Sequence, residues 1–242
     1  MGALAAAGAL AALGGCASPP MGSALRRAPP AGLPPAAWLD ATPFFPDHGT
    51  LCGPAVLASL LAAAGRPVGV ETLTDQVYLP GRRGTLQAEM LAGARRHARL
   101  AVELAPSLAA LLDELAAGRP VGVLLNLALP VWPRWHYAVL TGYELPTGRL
   151  RLHSGTRADE PWSLTAFEHT WARSQHWAFA VLAPGALPVQ ADEHRLIEAL
   201  LALDRAASPA DAADVAQAWA AAARRWPGSL TAAVGEGNAW LA

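Results

Sequence analysis

The stretch FFPDHGTLCGPAVLASLLAAAG, Phe44 to Gly65, constrains this chain more than any other. From Ala55 to Ala64 it has almost no polar face, so a helix here has to be buried. Gly53 and Pro54 fall where that helix begins, because Pro at the first helical position gives up no needed N–H. Gly65 suits its C-terminal cap. Cys52 therefore stands at a helix N-terminus, where unpaired N–H groups and the macrodipole favour an anion. Such a place lowers a thiol pKa and supplies thiolate, the nucleophilic form. A small buried apolar residue is the competing reading of the same cysteine.

The rest of the chain can supply the surroundings that such a helix needs. It has 242 residues, 53% hydrophobic and 15% charged, enough for one sizeable domain with a small appendage. A formal net charge of −1 argues against a nucleic-acid partner. The first fifteen residues, MGALAAAGALAALGG, form an apolar run too short to span a membrane, which reads as a signal peptide. Leu13 to Cys16 resembles the lipobox of bacterial lipoproteins, so residues 1–16 are a signal segment with Cys16 as the lipidation site. Membrane attachment through that lipid anchor is implied. By the same resemblance, Ala17 rather than Asp after the cysteine implies sorting, in a Gram-negative host, to the periplasmic face of the outer membrane. Residues 17–37, rich in Pro, Ala and Gly, read as a tether. The chain has two cysteines, and lipid on Cys16 leaves Cys52 without an intramolecular partner.

Helical spacing recurs at Glu71 to Tyr78 and Leu86 to Arg99, with a turn-rich loop at Leu79 to Thr85 between them. Ser107 is the expected N-cap of a helix closing at Gly118. Beyond Pro120 the period changes to that of strands: Val121 to Leu129, His136 to Leu145 and Arg149 to Gly155. A helix from Ser163 to Ser174 and a last strand, Trp177 to Leu182, follow. Helices first, then an antiparallel sheet, is an α+β arrangement. Residues 38–187 make up this domain, and 188–242 form a helical segment. Its stretch WAAAARRWPGSLTAAVGEGNAWLA resembles an incomplete tetratricopeptide repeat, a surface on which a protein partner can dock.

A cysteine nucleophile needs a base in reach and a group that orients the base. His136, at the start of a strand in WPRWHYAVLTGY, is the best placed of the seven histidines. The order Cys, His, then a polar residue on the next strand is that of papain-like cysteine peptidases. CGPAVLASLL together with HYAVLTGY and the Val77 to Gly81 loop resembles the bacteriocin-processing (double-glycine) cysteine peptidases. The likeness extends to their stand-alone lipoprotein relatives with tetratricopeptide tails. It implies a papain-like fold, thiol peptidase chemistry on a peptide or protein substrate, Cys52 as nucleophile and His136 as base.

Two positions depart from that pattern. The resemblance calls for a glutamine donor shortly before the cysteine, and five residues upstream stands Asp47, whose carboxylate only accepts. His48 beside it is the alternative donor. Where the pattern has an Asp on the strand after the histidine, LRLHSG offers Ser154, which can hold an imidazole tautomer but cannot balance imidazolium charge. Both changes bear on rate more than on fold. They leave an exported cysteine peptidase as the main reading, with a weakened peptidase-like binding module and a cell-wall amidase using a Cys-His pair as its rivals. No zinc motif and no glycine-rich phosphate loop occurs, so no cofactor is expected. Arg82-Arg83 and Arg95-Arg96-His97 read as solvated faces.

Overall fold

A computed structural model of the chain describes residues 20–47 and 49–241. The expected signal segment with Cys16, and His48, lie outside the described residues. In chain order the elements are α1 (Pro20–Arg27), β1 (Ala36–Trp38), α2 (Cys52–Ala63), α3 (Val70–Val77) and α4 (Gln87–Arg96). Next come β2 (Leu100–Glu103), α5 (Leu108–Ala116), β3 (Val121–Asn126), β4 (Trp135–Glu144), β5 (Arg149–Ser154) and β6 (Arg157–Ser163). They are followed by α6 (Leu164–Ala172), β7 (Ala178–Leu182), α7 (Glu193–Ala206), α8 (Ala212–Arg225) and α9 (Leu230–Leu241).

The strands form one antiparallel sheet in the order β2-β7-β3-β4-β5-β6. The long strand β4 is its axis. Its first half pairs with β3, from Asn126 opposite Trp135 to Val121 opposite Leu140, and its far end pairs on that side with β1. Period-two alternation sends Tyr137 and Val139 to one face and Ala138 and Leu140 to the other. β7 does the same with Phe179 and Val181 against Ala178, Ala180 and Leu182. Both faces are covered. On one lie α2, α3 and α4, around Leu57, Leu61, Leu73 and Met90; on the other lie α5, α6 and the C-terminal helices.

Because α2 is apolar all round, it is buried from Gly53 to Leu61, between the sheet and the two helices that follow it. Gly65, at φ +76°, closes it: the Gly65 N–H bonds to Ala62 O and the Arg66 N–H to Leu61 O. That left-handed turn suits glycine. The two serine caps also form, Ser107 accepting from the Ala110 N–H and Ser163 from the Ala166 N–H.

The structure departs from the sequence expectation ahead of the domain and in two strands, and it shows where the C-terminal helices sit. Residues 20–37 are not an extended tether. α1 lies against α5 and α6, with the Met21 and Gly22 N–H groups donating to the buried Glu168 carboxylate at 2.8 and 2.7 Å. The capture of α1 depends on a carboxylate nearly 150 residues away, so nothing local announces it.

The C-terminal helices are docked as well. α7 packs on α4 and β2, and Leu196, Leu200 and Leu203 share one apolar cluster with Val102 and Leu104. Arg99 pairs with Asp214 at 2.7 Å and Arg66 with Asp211 at 2.9 Å. Trp219, wholly buried, donates from Nε1 to Asp204.

Two strands were not anticipated, β1 at the end of the stretch read as a tether, and β6. The sequence of β6, RADEPWS, has no apolar alternation, and Pro161 counts against a strand. As an edge strand paired only with β5, it has no need of either feature.

Candidate active site

The helix that organises the fold delivers Cys52 as its first residue. Gly53 is required there, since a Cβ would stand 2.5 Å from Thr85 Oγ1. The absent side chain lets the Leu79–Thr85 loop close against the helix start. Leu51 gives α2 no side-chain cap, and Asp47 Oδ1 accepts from the Leu51 N–H at 3.0 Å, bracing the chain just ahead of the helix. The Asp47 N–H in turn donates to Gly155 O at 2.9 Å, tying this loop to the turn after β5. Cys52, Asp47, Ser154 and Gly155 thereby line one pocket with Phe44 and Phe45, about 10 Å³ in volume. It admits about one water and no side chain.

His136 is the second residue of β4 and is half-buried. Its Nε2 lies 3.0 Å from Ser154 Oγ at the end of β5. When Nε2 carries the proton and donates to the hydroxyl, Nδ1 is the free basic atom. The Tyr137 N–H, next along β4, reaches the Cys52 sulfur strongly enough to favour its thiolate, which ties the start of β4 to the thiol.

The electrostatics depart from the sequence expectation. The N–H groups of Gly53 and Cys52 at the helix start do favour thiolate, as does that of Tyr137. Burial outweighs them, and the Asp47 carboxylate adds to burial, so the Cys52 pKa is raised rather than lowered. The His136 pKa is lowered, first by burial and then by Arg134, against the upward pull of Asp47 and Glu160. Both shifts disfavour charge separation. At neutral pH the resting pair is thiol and imidazole.

The remaining histidines near the site have other work. His153 has both ring nitrogens engaged, Nε2 with Thr42 O at 3.1 Å and Nδ1 accepting the Asp159 N–H at 3.1 Å. It shapes the β5–β6 turn. His176 packs edge-on against Trp171 at 4.8 Å, and His97 bonds to Gln76.

Sequence reasoning missed two contributors. Asn126, fully buried, accepts at Oδ1 from the Ala128 and Arg134 N–H groups, each at 3.0 Å, and so sets the hairpin that leads into His136. A polar residue ending the apolar run VGVLL was its one visible signal. Glu160 acts on the His136 charge from β6, a strand that was not anticipated.

A broad groove of about 780 Å³ opens from Cys52 on its other side, between the Leu79–Thr85 loop, the start of β4 and the end of α6. Arg82 and Arg83, expected to be a solvated face, line it.

No protein-family model matches the sequence, and no curated protein matches it. Among solved structures, a C39-like peptidase from Bacillus anthracis superposes with a TM-score of 0.51 at 18% identity. That match covers 61% of this chain and 97% of the other. The peptidase domain of Streptococcus ComA, a bifunctional ABC transporter involved in a quorum-sensing pathway, gives 0.49 at 18% identity, covering 59% and 98%. A double-glycine-motif protease from an AMS/PCAT transporter, in complex with its leader peptide, gives 0.45 at 19%, covering 57% and 89%. The mixed helix and antiparallel sheet seen here is thus the α+β, papain-like fold of the C39-like peptidases.

Proposed function

We propose that the chain is a thiol peptidase in which Cys52 is the nucleophile, His136 the base and Ser154 the residue that orients it. One observation supports this reading: the N–H of Tyr137, the residue after His136 on β4, reaches the Cys52 sulfur, while His136 Nε2 lies 3.0 Å from Ser154 Oγ. From the neutral pair, His136 Nδ1 takes the thiol proton as sulfur bonds to the peptide carbonyl carbon. The Cys52 backbone N–H receives the oxyanion. The imidazolium then protonates the leaving amine, the C–N bond breaks, and water hydrolyses the thioester to restore the thiol. Asp47 cannot donate to the oxyanion, and His48 is the candidate for a second donor.

The raised Cys52 pKa and the Asp47 charge beside it favour a second reading, a weakened or inactive peptidase-like module of a periplasmic assembly. Incubation with an epoxide thiol probe of the E-64 type and with a peptide library separates the two. Covalent labelling at Cys52 together with library cleavage is the expected result. An unlabelled thiol and an intact library would leave the module reading standing.

The segment before the domain adds a location. The apolar run ending in Leu13-Gly14-Gly15-Cys16 supports export with a lipid anchor at Cys16, facing the periplasm from the outer membrane. Mass spectrometry of the mature N-terminus is expected to find a diacylglyceryl-cysteine. An unmodified Met1 would remove the anchor.

A further inference from the structure

The groove that leads to Cys52 is lined by four arginines, Arg82, Arg83, Arg134 and Arg173, and by no aspartate or glutamate among the described residues. All four are exposed. Elsewhere in the described chain some arginines are matched to carboxylates, as in Arg66–Asp211, Arg99–Asp214, Arg119–Glu114 and Arg149–Glu144, but none of those unmatched is set with three others around one groove. Arg82, Arg83 and Arg134 have no such ion pair among the described residues. Arg173 donates only to the backbone oxygens of Asn126 and Ala128. With a net charge of −1 for the whole chain, this is a local concentration of positive charge.

The guanidinium groups also stand on a fixed backbone. Arg82 and Arg83 lie on a loop closed by the Leu79 N–H to Gly84 O bond at 2.9 Å, with Arg83 in a left-handed turn at φ +51°. Arg134 is held at its N–H by the buried Asn126. The half-exposed Trp135 adds an apolar face to the same groove. On the other side of Cys52 the pocket beside Asp47 is too small to hold a side chain. Among the described residues, the arginine-lined groove is the roomier approach to the thiol.

We propose that this groove selects an acidic peptide segment, whose carboxylates the four arginines bind next to the bond presented to Cys52; this deepens the peptidase reading of the site and rests on it. Arginine forks match carboxylates in geometry as well as charge. Fixed like charges facing an open groove raise the on-rate of an opposite-charged partner and repel basic ones.

Binding and cleavage are measured separately. A fluorescent Glu-containing peptide and its Gln isostere are titrated into the full chain carrying Cys52→Ala, and both are offered to the unmodified protein for cleavage. At 0.05 M salt the acidic peptide should bind roughly tenfold tighter, the sum expected of a few exposed charge pairs. The preference should vanish at 1 M salt, where the screening length falls to about 3 Å. It should also vanish in Arg82→Gln/Arg83→Gln/Arg134→Gln. Equal binding of the two peptides overturns the acidic assignment, while cleavage of either one leaves the peptidase reading standing. Acidic preference with no cleavage supports the groove and overturns the peptidase reading instead. A preference that survives the triple substitution places the charge elsewhere, and an oligonucleotide that displaces the acidic peptide overturns the choice of occupant.

Discussion

His136→Ala is expected to lower peptide turnover by at least about 10³-fold, to the floor set by Cys52→Ala, with no further loss in the double variant. The nucleophile and its base act on one proton, so removing either abolishes the same step, and their effects do not multiply. The pair rests neutral here, since burial holds the Cys52 pKa up and the His136 pKa down. With little pre-formed thiolate to fall back on, the imidazole is needed at the moment of attack. The same shift sets the acid limb of kcat/KM. A base with a lowered pKa stays unprotonated further into acid, so activity should be lost only below the ordinary histidine value of about 6.5. Turnover by His136→Ala within tenfold of the unmodified protein would take His136 out of the reaction.

The second large effect is expected in the opposite direction. Asp47→Gln should raise turnover at least tenfold, about 1.4 kcal/mol of barrier, because it removes a carboxylate from beside the developing oxyanion and puts an amide donor there. The structure adds a control, Asp47→Asn. Asn keeps an oxygen to accept the Leu51 N–H just ahead of α2, and it removes only the charge. The sign is the same for both site groups. Asp47 raises the Cys52 pKa and raises the His136 pKa, so losing its charge lowers both. The inflection in Cys52 alkylation should therefore move to lower pH in either variant. Turnover that falls in Asp47→Gln while the alkylation inflection falls as expected would mean that Asp47 serves catalysis by holding the imidazolium, and the oxyanion account would be wrong.

Much of the scaffold was legible from local rules. An apolar run with no polar face can only be a buried helix, and α2 closes at Gly65 as expected but begins at Cys52, two residues before the Pro54 that was read as its first position. The serine caps and the three central strands follow from spacing and turn chemistry, which act over a few residues, whereas Ser154 beside His136 was expected from the resemblance. β6 was hidden because a solvent-facing edge strand needs no apolar pattern. α1 was hidden because its N-terminus is held by Glu168 from the far end of the domain.

The electrostatic state of the site belonged to the tertiary structure alone. A helix N-terminus argues for thiolate, and its N–H groups do favour thiolate at Cys52. Burial and the Asp47 carboxylate oppose them and prevail, and each depends on packing between distant segments: Asp47 is fixed by Gly155, and the thiol is covered by β4. The arginine-lined groove has the same origin. Its guanidinium groups come from a loop, a hairpin and a helix end up to 91 positions apart (173 − 82), and only the fold sets them around one cysteine. Periodicity records what each residue asks of its neighbours in sequence; dielectric and charge at a site are sums over neighbours in space.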